Sequence, residues 1–206
     1  MQDMIEAGPG LVRTPFVILI DKAEKNPFQF RGITARSFID PDQRLYIPRT
    51  EPRYLGIGMG DYSLDGCQQQ VAVERKSLED FQGTLLGWPR DVSERSVACE
   101  WDARRCVCRR ARFKRELARL SRMLAAAVVV EAPLGECLDL APCWGKRSSE
   151  ENKKYLLATY LSWSNTFRTP WHFCADRSMA EVVTLRILEK FWDNNRKKKS
   201  GAKAVA

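Results

Sequence analysis

Two uninterrupted apolar runs, residues 16–20 (Phe-Val-Ile-Leu-Ile) and 125–130 (Ala-Ala-Ala-Val-Val-Val), constrain the fold of this chain more than any other feature. A strand with one buried face alternates apolar and polar side chains, because successive side chains point to opposite faces. Runs without alternation fit strands covered on both faces, as in a sheet with helices on either side. Neither run is long enough to cross a bilayer.

Around these anchors the chain divides into further elements. The first run ends at Asp21, an acid at a strand tip. Residues 22–53 carry Pro27, Pro41, Pro48 and Pro52 and are expected to be irregular, with room for one short strand. Residues 55–64, the turn signal Asp65-Gly66 and residues 71–76 are expected to form a hairpin. Ser77, with Asp80 three positions on, is placed to cap a helix that ends near Leu86 at Gly87 and Pro89. Residues 87–104 match no pattern. A helix is expected over 105–125, with Phe113, Leu117, Leu120 and Leu124 as its apolar stripe. A strand over 126–131, a loop over 133–148 and a helix over 150–167 with Leu157 and Leu161 inward follow. A short strand at 171–174 should hold a packed His172, and Ser178 should cap a last helix to Asn194, packed through Val182, Leu185, Leu188 and Trp192. The order predicts an α/β fold, a mixed β-sheet flanked by helices. One domain is expected over 16–195, after a lead-in at 1–15 and before a basic tail at 196–206.

The chain carries 34 basic and 26 acidic residues, a net charge of +8, which favours polyanionic partners. Met1-Gln2-Asp3-Met4 lacks the layout of a signal peptide, so an intracellular, non-secreted protein with no membrane contact is expected. The seven cysteines are then reduced thiols rather than a disulfide framework. Cys99, Cys106 and Cys108 lie close together, but their spacing is not a common structural zinc pattern, and the single histidine, His172, is remote.

The chemistry concentrates on the hairpin. With the turn centred near 67 and 68, Asp61 falls opposite Glu74, so two carboxylates face one point and suit a hard cation such as Mg²⁺ or Mn²⁺. Glu74 and Lys76 are two apart on a strand and share a face, which puts an ammonium beside that point, while Arg75 faces away toward an acidic neighbour or a phosphate. Such a metal polarises a phosphodiester and acidifies a water, and a lysine offsets the charge that develops on phosphorus.

Gly60-Asp61-Tyr62 followed by Val73-Glu74-Arg75-Lys76-Ser77-Leu78-Glu79-Asp80 resembles the GDY…VERKxxxD signature of XPF-family nucleases. Asp21-Lys22-Ala23-Glu24 before Pro27-Phe28 is similar to the D-x-R-E-x-x-P-F opening of small stand-alone members, with Ala23 in place of the arginine. Arg112-Phe113 with Glu116-Leu117 resembles the family's R-F-x-x-E-L helix, and the strand ending at Glu131 its successor. The resemblance implies a restriction-endonuclease-like core that cuts DNA, of flap, fork or branched structure, with Mg²⁺ or Mn²⁺. It makes Asp61 and Glu74 metal ligands, joined by the Arg75 carbonyl, Lys76 the catalytic lysine, and Asp21 and Asp80 acids around the site. It also marks residues 90–108 as an insertion.

Between residues 104 and 122 nine basic residues face one acid. Arg112, Arg115, Arg119 and Arg122 fall opposite the apolar stripe and are candidate phosphate contacts. The six tryptophans are expected mostly in the core, and base stacking is not the expected role of either Trp88 or Trp101 in the irregular segment. Three readings stay open: a metal-dependent DNA endonuclease, a catalytically silent DNA-binding scaffold with a nuclease fold, and a nuclease that prefers RNA or single strands. The chain acts alone, as a homodimer, or with a separate partner subunit.

Overall fold

A computed structural model describes residues 6–8, 11–33, 45–56, 58–87, 108–143 and 147–203. The expectations for Trp88, Trp101, Cys99, Cys106 and nearly all of the 90–108 insertion lie outside these residues. The elements run β1 (Glu6–Gly8), β2 (Leu11–Asp21), β3 (Leu45–Arg53), β4 (Tyr62–Leu64), β5 (Val71–Lys76), α1 (Leu78–Leu86), α2 (Arg109–Leu120), β6 (Ala125–Val130), α3 (Leu134–Asp139), α4 (Ser149–Phe167), β7 (Trp171–Phe173) and α5 (Arg177–Lys203). The fold is α/β: one mixed seven-stranded sheet in the order β1-β2-β4-β5-β6-β7, with β3 paired to β2, between two layers of helices.

Both apolar runs occupy interior strands. β6 lies between β5 and β7, parallel to each, with Val128, Val129 and Val130 fully buried. Alternation then splits its side chains between two cores: Val129 joins Ile18, Ile20, Tyr62, Val73 and α5 on one face, and Val128 and Val130 join α1, α2 and α4 on the other. β2 is longer than its apolar run. Residues 11–15, expected as lead-in, are already strand, because β3 runs parallel along β2 from Leu11 to Asp21 and satisfies its backbone. β3 itself was hidden by Pro48 and Pro52, which an edge strand tolerates and an interior strand does not. The expected hairpin is lopsided: its first strand shrinks to Tyr62–Leu64, because Gly56, Gly58 and Gly60 all take positive φ and keep the chain before it irregular.

The helices differ from expectation where polar residues sit inside. In α4 the inward face is Asn152, Leu156, Thr159 and Trp163, while Leu157 and Leu161 are 37% and 47% exposed. Asn152 can be buried because its amide donates to the Pro142 carbonyl at 2.8 Å. The short helix α3 replaces part of the expected loop, and Gln82 of α1 fastens it by donating to the Cys137 and Leu140 carbonyls, each at 3.0 Å. Extended Cys108 precedes α2, which ends at Leu120, so Leu124 lies outside the helix and is 72% exposed. Asp176 rather than Ser178 caps α5, accepting from the Met179 N–H at 2.8 Å. His172 stands exposed on the edge strand β7 instead of packed.

The shortened stripe of α2 has a direct consequence for stability. Leu117→Ala should cost about 2–5 kcal/mol, as a cavity at a fully buried site does. Leu124→Ala should change stability by less than about 0.5 kcal/mol. Denaturant unfolding measures both; equal losses would contradict the packing.

Candidate active site

The register of β4 on β5 builds the site. Tyr62 pairs with Val73, so Asp61 falls opposite Glu74. The Asp61 N–H donates to the Val73 carbonyl at 2.9 Å, and its own carbonyl accepts from the Asp21 N–H at 2.8 Å. The backbone of Asp61 is therefore held between the end of β2 and the middle of β5. Its carboxylate accepts from the Arg75 N–H at 2.7 Å. Gly60 makes this approach possible: at φ +82°, an added Cβ would lie 3.1–3.3 Å from Ala72 and Val73. Two residues earlier, at φ +67°, the Gly58 carbonyl accepts from Arg119 Nε at 3.1 Å, and a Cβ there would meet the Arg119 guanidinium at 1.7 Å. Arg119 thus clamps the loop that delivers Asp61.

Alternation along β5 then separates two sets of charges. Glu74 and Lys76 face α1 and α2, and both are buried. Lys76 Nζ donates to Glu74 Oε1 at 2.7 Å and to Asp80 Oδ2 at 3.2 Å, and lies 4.1 Å from the centroid of the Phe113 ring. Arg109, in the first turn of α2, holds the other Asp80 oxygen. Glu116, from the next turns of α2, brings a further carboxyl group against Glu74, and the two repel as charges. On the opposite face Arg75 forks onto Glu131 at 2.7 and 3.1 Å and reaches Glu24 at 3.2 Å. Arg177 of α5 joins Glu131 at 2.5 Å and donates to the Asn26 and Pro27 carbonyls at 2.8 and 3.1 Å. This second set fastens the 22–30 loop to the sheet, where Phe28 stacks on Tyr62 and donates its N–H to the Tyr62 hydroxyl oxygen at 2.9 Å.

The electrostatics follow from these distances. Burial opposes the charge on Lys76, but Glu74, Asp80 and Glu116 outweigh it and hold the ammonium well above the ordinary lysine range. Lys76 is a cation here, not a base. Burial alone would raise the Asp80 carboxyl, yet Lys76 and Arg109 keep it below the usual carboxylate range. Burial, then the charge of Glu74, push the Asp61 carboxyl well upward against the pull of the Arg75 N–H. The same two causes raise Glu116. Four carboxylates thus share the pocket with two cations, and two of the acids lack full compensation.

That imbalance bears on a metal. Among the described residues no three acid, histidine or cysteine side chains form a ready cage. One Glu74 oxygen is taken by Lys76 and one Asp61 oxygen by the Arg75 N–H. Mg²⁺ needs no cage; it is commonly held by one or two carboxylates and keeps several waters. The free oxygens of Asp61 and Glu74, with Glu116 adjacent, are hard donors in surplus negative charge, which fits such an ion.

The remaining sequence candidates are placed differently. Asp21 is buried, and its carboxylate accepts from the Ala23 N–H at 2.8 Å in its own turn and from the Leu55 N–H at 3.3 Å just beyond β3. Arg112 and Arg115 are half-buried and engaged in contacts, Arg119 holds Gly58, and of the four only Arg122 is exposed. They form no open row of guanidinium groups. Glu116, Arg109, Glu24, Glu131 and Arg177 stand in or behind the site without having been singled out as site residues. Glu116 lies within the Arg-Phe-x-x-Glu-Leu pattern, and alternation pointed Arg75 at an acid; Arg109 and Arg177 carry no local signal.

No protein-family model matches the chain, and no curated protein matches its sequence. Among solved structures, XPF from Aeropyrum pernix is 16% identical, with a TM-score of 0.46 over 89% of this chain and 69% of that one. XPF from Aeropyrum pernix in complex with DNA is also 16% identical, with a TM-score of 0.45 over 87% of this chain and 66% of that one.

The clamp on Gly58 is testable by coupling. Gly58→Ala should destabilise the fold by about 1 kcal/mol or more, through both its positive φ and the clash. In an Arg119→Ala background the same substitution should cost clearly less, as a double-mutant cycle would read. Identical penalties in both backgrounds would dissolve the clamp.

Proposed function

We propose that this chain is a metal-dependent DNA endonuclease that hydrolyses phosphodiester bonds and selects flap, fork or branched DNA. The observation that carries the proposal is the buried Lys76 ammonium held between Glu74 and Asp80, on a strand whose partner presents Asp61 opposite Glu74. A buried cation ringed by excess carboxylate is costly as a structural device, since well-packed apolar residues serve stability equally well. It is useful where negative charge must be received. The resemblance of the Gly60-Asp61-Tyr62 and Val73-Glu74-Arg75-Lys76 segments to XPF-family nucleases supports the same chemistry, and the net charge of +8 suits a polyanionic substrate.

Asp61 and Glu74, with the Arg75 carbonyl, are the groups that would hold Mg²⁺ or Mn²⁺. Bound there, the ion supplies Lewis-acid polarisation of the phosphodiester and a more acidic water. The chain's own residues do the rest. The Arg75 N–H fixes the rotamer of Asp61. Lys76 orients the attacking water and offsets charge growing on the phosphate oxygens. Asp80, Arg109 and the Phe113 ring fix the ammonium in position, so no reorganisation is needed when that charge appears. Arg75 acts through its backbone, while its side chain secures the 22–30 loop. Arg122, exposed beyond α2, is a phosphate contact outside the pocket.

The test is cleavage of labelled linear, flap, fork, Holliday-junction and single-stranded DNA with Mg²⁺, Mn²⁺ or EDTA. Cutting should require the metal and favour junctions. Lys76→Ala should lower the rate by about 10²–10³, the scale for losing one charge-stabilising donor. Cutting in EDTA, or an unimpaired Lys76→Ala enzyme, would refute the mechanism. Salt-sensitive binding with no cutting anywhere in the panel would mark a silent scaffold.

A further inference from the structure

A groove of about 930 Å³ opens at the end of the sheet away from Lys76. β5 and β6 fix the separation. Val71 pairs with Ala125 at the groove end, and Glu74 pairs with Val128 toward the other. Three residues of strand span about 10 Å at ~3.3 Å per residue. The volume lies toward the top of the range for binding pockets, about 300–1,000 Å³.

Its lining combines two chemistries. Leu124, Pro170, Val183 and Ile187 supply an apolar floor, and Leu124 is 72% exposed. Arg168, Arg186 and Lys190 supply the charged side chains, and no aspartate or glutamate lines the groove among the described residues. Arg186 is held by buried Glu189 at 2.9 Å. Arg168 and Lys190 are exposed and make no ion pair among the described residues. Along α5, Val183, Ile187, Lys190 and Asn194 recur at helical spacing, so one helix face carries both the floor and a basic position above it.

From this combination we infer that the groove is a docking site for an acidic amphipathic segment of a partner protein. The apolar floor takes the segment's aliphatic side chains, as grooves that bind amphipathic helices do. Arg168 and Lys190 meet its carboxylates. A second copy of this chain fits less well: an isologous contact would set each basic rim against its own image. A nucleic acid backbone fits less well too, since phosphates gain nothing from a concave floor of leucine, valine and isoleucine.

The probe is a synthetic helical peptide with leucine at every third or fourth position and glutamate elsewhere, titrated into ¹⁵N-labelled protein. Its twin carries lysine for each glutamate. The acidic peptide should shift amides in residues 120–127, 168–172 and 182–195, and the basic twin should not. Leu124→Glu and Lys190→Glu should each weaken binding by about tenfold, the effect of a lost anchor or reversed charge of ~1.4 kcal/mol. Both positions are exposed, so folding should survive, and cleavage of naked DNA should be unchanged in both variants. No binding, or equal binding of the twin, overturns the proposal. So does a duplex oligonucleotide that maps to these amides, or a dimer in sedimentation that Leu124→Glu abolishes.

Discussion

A lysine ammonium with almost no exposure is the constraint on which the rest of this structure depends. Removing such a charge from water costs several kcal/mol unless close partners offset it. Glu74 at 2.7 Å and Asp80 at 3.2 Å do so, and the Phe113 ring centroid lies 4.1 Å from the ammonium. Each partner arrives from a different element. Glu74 comes from the same face of β5, Asp80 from the first turn of α1, and Phe113 from α2. The position of Lys76 therefore fixes where both helices sit. Ser77 connects strand to helix in one residue and caps α1 by accepting from the Asp80 N–H at 3.1 Å, so the turn that starts the helix also aims its acid.

The period of two along β5 lets one short strand serve two purposes. Glu74 and Lys76 enter the layer of α1, α2 and α4, while Arg75 between them enters the layer of α5. There it pairs with Glu24 and Glu131, side-chain exposures of the three being 8–11%, and the more exposed Arg177 joins Glu131 from α5. A one-residue slip of register would exchange the two sets and bury every charge without its partner. The glycines before Asp61 guard against that slip, since Gly60 alone among residue types lets the loop lie against Ala72 and Val73 at a positive φ.

Much of this was legible in the sequence because it follows from local rules. The apolar runs specified interior strands, Ser77 and Gly87 bounded α1, and the turn at 65–70 set Asp61 against Glu74. What stayed hidden depends on contacts distant along the chain. β3 pairs with a strand more than thirty residues away, and its prolines made it look irregular. Asn152 and Thr159 occupy core positions of α4, where Asn152 donates to the Pro142 carbonyl and Thr159 accepts from Arg110, so the leucines beside them read as the inward face. Charge pattern along α2 does not show that Arg119 Nε donates to the Gly58 carbonyl. Asp21 carries an acid to a strand tip as expected, but the turn that follows uses the carboxylate as a cap.

The two ends of the parallel strands thus differ in character: surplus carboxylate around one buried ammonium at one end, an apolar floor with a basic rim at the other. The central claim is that the surplus at the first end exists to hold a divalent cation. Calorimetric titration of Mn²⁺ into the wild-type chain and into Glu74→Gln measures this most directly. The account predicts saturable binding to the wild type that is lost or greatly weakened in Glu74→Gln, measured under conditions where circular dichroism shows both proteins folded. Undiminished Mn²⁺ binding in the variant, or none in the wild type, would contradict it.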